Sequence, residues 1–192
     1  MAIDFPSTGL VSNTTTYTYG GKTWLWNGTG WQIQATITPA TLTGTETLTN
    51  KTLTNPIING GLFISPQEYW TVLATAATGT INFDINTQAI LYYTTNASAN
   101  FTLNFRASSS ATLSSILSVG DSISIVFANT NGSTAYYPSV IQIDGTTITP
   151  KWQGGTAITS GNASSVDMYS FEIVKTAATP TYSVFASQVK YA

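Results

Sequence analysis

Apolar residues in this chain recur at every second position over short runs, and almost nowhere at the three-to-four spacing of a helix. Phe101-Thr-Leu-Asn-Phe105 and Ile123-Ser-Ile-Val-Phe127 show the alternation most clearly. A period of two places one set of side chains on a buried face and the other towards solvent, the signature of a half-buried strand. On this basis strands are expected at 69–74, 80–85, 89–94, 100–106, 122–128, 140–144, 146–149, 168–175 and 182–189. Turn dipeptides separate them: Asn131-Gly132, Asp144-Gly145 and Gly154-Gly155. Asp144-Gly145, between IQI and TTI, is the strongest hairpin signal, because both residues tolerate positive φ. Ser109–Leu117 is the one stretch expected to be helical, for two turns at most. Many short strands with frequent turns predict a β-sandwich or jelly-roll-like domain over residues 66–192.

Residues 1–35 carry a different pattern. YTYGGKTWLWNGTGWQIQ reads as a three-stranded meander with turns at Gly20-Gly21 and Asn27–Gly30. Tyr17, Tyr19, Trp24, Trp26 and Trp31 give it an aromatic face. A sheet this small is near the limit of independent stability, so that face is expected to be docked, with sugar stacking as the alternative use. Between the two modules, residues 36–65 place Leu42, Leu48, Leu53 and Ile58 at spacings of six, five and five, flanked by threonines. That spacing fits neither a heptad nor a 3.6-residue helix. Each Thr-Leu-Thr is an extended piece with no partner strand in its own chain, so its backbone groups lack bonds. Three copies wound around one axis would stack the leucines and pair the backbones, each buried leucine contributing about 1.5–3 kcal/mol. A solvated linker is the competing reading of the same threonines and asparagines.

Composition narrows the function. Only 7% of residues are charged, against roughly 25% in an average soluble domain. Eight Phe, ten Tyr and five Trp supply a core, and threonine with aromatics favours an all-β class. Six Lys and Arg in 192 residues make no cationic stripe, which argues against nucleic acid as a partner. The chain has no cysteine and no histidine. Disulfides, thiolate or imidazole metal sites and Ser-His-Asp catalysis are therefore out of reach. MAIDFPSTGL lacks a basic start and an apolar core, so synthesis in a cytoplasm without export is expected. No run reaches the roughly 18 apolar residues of a membrane helix, and no membrane insertion is expected. No cofactor is expected either, since no phosphate-cradling glycine motif occurs.

Two loops are candidate glycan contacts: Tyr136 and Tyr137 after the Asn131-Gly132 turn, and Trp152 and Gln153 after the Asp144 hairpin. Both set aromatics beside amides; the favoured competing reading of the same residues is that Trp152 plugs the sandwich edge and the tyrosines pack between chains. A glycosidase-like carboxylate pair is the remaining enzymatic route. Asp167 and Glu172, five apart on one strand, should point to opposite faces.

LTGTETLTNKTLTNPIINGG resembles the repeated shaft motif of tailed-bacteriophage fibre proteins, and YTYGGKTWLWNGTGWQ resembles an aromatic module of marine phage and cyanophage virion proteins. NASANFTLNFR, LSVGDSISIVFANTNGSTAYYPSVIQIDG, TPKWQGGTAITSGNASSVDMYSFEIVKTA and TYSVFASQVKYA look like a terminal domain shared by such appendages. The resemblance implies a homotrimeric, non-enzymatic virion protein assembled in the host cytoplasm. Residues 1–35 would attach to other virion proteins, 36–65 would form the trimerising shaft, and 66–192 would project as a head towards host surface glycans. A neck, baseplate or capsid-decoration protein would use the same parts, and a polysaccharide-degrading enzyme is the third expectation.

Overall fold

The computed structural model describes residues 3–34, 52–53 and 56–191. It is an all-β protein of two compact units, 1–62 and 63–192. Most of the expected shaft, including Leu42 and Leu48, lies outside the described residues.

In the first unit, β1 (Thr16–Tyr19), β2 (Lys22–Trp26) and β3 (Trp31–Ile33) form the expected antiparallel meander. Gly20 and Gly21 close the first turn at φ +58° and +74°, a conformation that suits residues without a Cβ. The second turn is held by Asn27, whose Oδ1 accepts from the backbone N–H groups of Thr29 and Gly30 at 2.9 and 2.8 Å.

The second unit packs two sheets over one core. Its strands are β4 (Trp70–Ala76), β5 (Gly79–Asp84), β6 (Ile90–Thr95), β7 (Phe101–Arg106), β8 (Ser122–Thr130), β9 (Pro138–Ile143), β10 (Thr146–Ile148), β11 (Lys151–Trp152), β12 (Val166–Ala177) and β13 (Thr181–Tyr191). The six-stranded sheet has the order β11-β13-β12-β8-β6-β4, and the four-stranded sheet β10-β9-β7-β5. The chain alternates between sheets from β4 to β9, so that β4, β6 and β8 run parallel in one and β5, β7 and β9 run parallel in the other. Parallel neighbours need a long crossover, and here each crossover contains a strand of the opposite sheet. This connectivity departs from the antiparallel pairing of a jelly roll. Three coil-like steps are followed by an antiparallel hairpin, β12–β13, which adds to β8.

Parallel pairing in register stacks like on like. Ile81, Leu103 and Ile141 form one row; Phe83, Phe105 and Ile143 form another, all of them buried. On the opposite face Asn82, Asn104 and Gln142 align, with Asn104 Nδ2 donating to Asn82 Oδ1 at 2.8 Å. The pentapeptides TINFD (80–84), TLNFR (102–106) and VIQID (140–144) are therefore one repeated pattern. Leu91, Ile125, Phe127, Tyr169, Phe171, Ile173, Val184 and Ala186 supply the other half of the core.

The Asp144-Gly145 hairpin forms as expected, at φ +50° and +79°. The expected helix at Ser109–Leu117 does not: the segment contains only a 3-10 turn, Leu113–Ser115. Long-range bonds define this turn. Asp144 accepts from Leu113 N–H at 2.9 Å. The buried Lys175 ammonium donates to Ser114 O, Ser114 Oγ and Leu117 O at 3.0, 3.0 and 2.7 Å. Tertiary bonds to carbonyls that a helix would use internally override a weak local preference.

Replacing Lys175 with Met leaves those carbonyls without their donor. Urea denaturation of Lys175→Met is expected to show a loss of about 1–3 kcal/mol; an unchanged midpoint would mean that water replaces the ammonium without penalty.

Candidate functional site

Of the expected shaft residues, Leu53 and Ile58 are described and are 56% and 49% exposed. The aromatic face of residues 1–35 is partly covered by its own chain. Phe5 stacks on Trp31 at 5.4 Å and meets Tyr17 and Trp24 edge-on at 5.6 and 5.0 Å. Trp31 also donates from Nε1 to Pro6 O at 3.3 Å, and Trp26 lies 5.8 Å from Trp31. Four of the five aromatics thus form a miniature core, while Tyr19 stays 41% exposed. Sequence alternation alone did not identify Phe5 as the cover, because it precedes the first strand.

The two candidate glycan loops do not converge. Tyr136 and Tyr137 are half-buried against the core, and their backbone groups are committed: Asn131 bonds both N–H and C=O of Tyr136, and Tyr137 N–H donates to Asn100 Oδ1. Trp152 pairs in register with Ala186 and meets Phe171 edge-on at 6.2 Å, so its ring is half-buried at the sheet edge. Gln153 is exposed and opens a 3-10 turn, Gln153–Gly155.

Trp152 and Gln153 instead line a groove of about 560 Å³ on the outer side of β8, β12 and β13, which neither tyrosine lines. Antiparallel register builds its floor in two rows: Val126, Ser170 and Ser187, then Ser124, Glu172 and Phe185. Lys151 closes one side with its ammonium 5.3 Å from the Phe185 ring centre. Ser124 Oγ donates to Glu172 Oε2 at 2.5 Å. Hydrogen bonds from the Ser122 and Ser124 hydroxyls hold the Glu172 carboxyl below its ordinary range. A second hollow, lined by Tyr69, Gln88 and Ile90, shares Ser124 and Val126 with the first.

Chemically the groove offers one ionised carboxylate, one ammonium, three serine hydroxyls, an amide and a half-exposed phenyl ring. Glu172 is the only acid lining it. Asp167 lies on the opposite face of the same strand and is fully buried. Among the other carboxylates of the strand-rich unit, Asp84 pairs with Arg106 at 2.5 Å, Asp144 receives Leu113 N–H, and Asp121 Oδ2 accepts from Ser118 N–H at 2.8 Å, while Glu68 is exposed and lines the second hollow. Such a surface can hold a polar molecule by contact and hydrogen bonding. It does not present the carboxylate pair of acid–base glycoside cleavage. Among the described residues no group of three or more Asp or Glu side chains gathers to hold a metal ion, and no helix is long and apolar enough to cross a membrane.

Because the Glu172 carboxyl is depressed in the fold, its contribution is present above the unfolded carboxylate range and is lost as pH falls through the folded value. Glu172→Gln is expected to lower Tm slightly at neutral pH and to match wild type in acid, which flattens the acid side of the Tm–pH curve. Identical acid limbs in scanning calorimetry would contradict the serine clamp. No protein-family model, curated protein or solved structure matches the chain.

Proposed function

We propose that the chain is a non-enzymatic structural protein of a bacteriophage virion, a homotrimeric short fibre. Residues 1–35 attach to other virion proteins, 36–65 form the trimerising shaft, and 66–192 form an outward head able to contact host surface glycans. Assembly takes place in the host cytoplasm, and the protein needs no cofactor.

The observation that carries this reading is a run of apolar side chains left uncovered in the single chain. Leu53, Ile57, Ile58, Leu62, Phe63 and Ile64 are 56%, 91%, 49%, 86%, 62% and 81% exposed. Tyr69, Trp70 and Val72 continue it at 82%, 41% and 57%. Glu68 is the one charged residue between 56 and 75. So many exposed apolar side chains along one stretch of sequence favour association, and copies of one chain can cover them without charge repulsion. The run begins in the last Thr-Leu-Thr of the repeat, whose extended pieces have the same need of a partner. A capsid-decoration, neck or baseplate protein would meet the same constraint, and the number of copies per particle separates it from a tail fibre.

Light scattering of the full chain is expected to give three times the 20.4 kDa of one chain. Replacing Leu48 and Leu53 together by Asp should give monomers, since unpaired charges on a dry axis cost more than the lost leucines contribute. A native protein of single-chain mass, or a trimer that survives the double replacement, would overturn the reading.

A further inference from the structure

One end of the strand-rich unit holds a buried polar cluster that the proposed function does not use. On its core face β12 presents Asp167, Tyr169, Phe171, Ile173 and Lys175, so the apolar middle is bounded by a buried acid at one end and a buried amine at the other. Asp167 is fully buried, as is Asn129, its directly opposed partner on β8.

The two Asp167 oxygens are treated very differently. Oδ2 accepts from Asn162 N–H at 2.8 Å, Asn131 Nδ2 at 3.0 Å and Tyr169 OH at 3.4 Å. Oδ1 has no hydrogen-bond partner. Asn129 Oδ1 has none either. The orientation of Asn129 is fixed by a chain of bonds: its Nδ2 donates to Asn131 Oδ1 at 3.1 Å, and that same oxygen accepts from Tyr136 N–H at 3.2 Å. Asn131 Nδ2 in turn donates to Tyr136 O at 3.0 Å. Turning Asn129 over would set its oxygen against Asn131 Oδ1, acceptor against acceptor, and turning Asn131 over would set its amide N–H against Tyr136 N–H, donor against donor. Two orphan acceptors therefore sit on opposed residues of adjacent strands, whose Cβ atoms are about 4.5–5.5 Å apart in such pairs. A buried acceptor without a donor is costly, and two facing each other repel.

We propose that Asp167 binds a proton on Oδ1 and donates it to Asn129 Oδ1, forming a proton-dependent clamp between β12 and β8 beside the loops carrying Tyr136 and Asn162. One hydrogen satisfies both orphans and removes a buried charge whose second oxygen has no donor. Burial pushes the Asp167 carboxyl above its ordinary range, against the opposing pull of its hydrogen-bond donors and of Lys190. The titratable groups around it are few. Tyr169 lies on the same strand, its phenol raised chiefly by burial. Lys190 is opposed on β13 with its ammonium on Gly161 O at 3.2 Å, and Tyr137 acts on Tyr169 from the loop. The cluster is tightly built. A Cβ on Gly161 would fall within 2.7 Å of Asp167 Oδ2 and Asn131 Nδ2 and closer still to Tyr136 O, so only glycine fits there.

The fold binds this proton more tightly than the unfolded chain, whose carboxyl titrates near 3.8. The stabilisation is therefore complete below that value and is withdrawn as pH rises through the raised one. Asp167→Asn replaces the O–H by an N–H donor of the same shape. Calorimetry of the full-length variant beside wild type should show little difference in Tm in acid. The variant should gain steadily as pH rises to neutral, by about 3–6 °C for each tenfold shift in the folded-to-unfolded ratio. Wild type should also show a protonated-carboxyl infrared band above about pH 5, where exposed carboxylates are ionised, and the variant should lack it. A variant less stable than wild type at neutral pH, a Tm gap independent of pH, or no such band in wild type would overturn the proposal. An ionised Asp167 bridged to Asn129 by water would then be the answer. The infrared measurement on wild type decides the matter even if the variant fails to fold.

Discussion

Like-on-like stacking in the parallel parts of two mixed sheets is the constraint on which the strand-rich unit rests. Rows such as Ile81–Leu103–Ile141 and Phe83–Phe105–Ile143 place similar volumes above one another, so successive crossings of the core meet the same shape. The opposite sheet answers with Leu91 beside Phe127, and Phe127 with Tyr169 and then Gln188. Aromatic contacts join the two sets: Phe101 lies 5.4 Å from Phe127, and Phe105 lies 5.0 Å from Phe171. Apolar burial in one shared interior fixes which way each strand faces.

The closing hairpin shows how ends are managed. β12 alternates perfectly between buried and half-exposed positions over most of its length. Its buried column ends in Asp167 and Lys175, which gather loop backbone from opposite ends of the sandwich. Charges placed there order segments that apolar contacts would leave loose, because a buried ion or acid demands partners with fixed geometry.

Strand positions and hairpin turns were legible in the sequence, since alternation and Gly-containing dipeptides are local signals. Asp144-Gly145 and Gly20-Gly21 sit where positive φ was expected. Parallel pairing was not legible from alternation, because it depends on which distant strand becomes the neighbour. The clue was the recurrence of TINFD, TLNFR and VIQID, separated by unequal intervals that hide the repeat. Ser109–Leu117 misled because its helix preference is weak and Lys175, 58 to 61 residues away from its bonding partners, decides its shape. For the site, Trp152 and Gln153 were expected on a loop, but Trp152 belongs to strand β11 and Gln153 opens a 3-10 turn. Their true companions, Glu172, Phe185, Ser124 and Lys151, come together only through strand register. Asp167 was read only as lying on the opposite face of its strand from Glu172, and its burial emerges from β12 lying between β8 and β13.

The stacked rows also restrict how this architecture can vary. Shifting any middle strand by one residue would turn its phenylalanines to the wrong side and set amides against the interior. Lengthening or shortening the unit within that part of the chain is thus quantised. Whole strand pairs, one from each sheet, can be gained or lost together, whereas single residues are tolerated only in the connections between them.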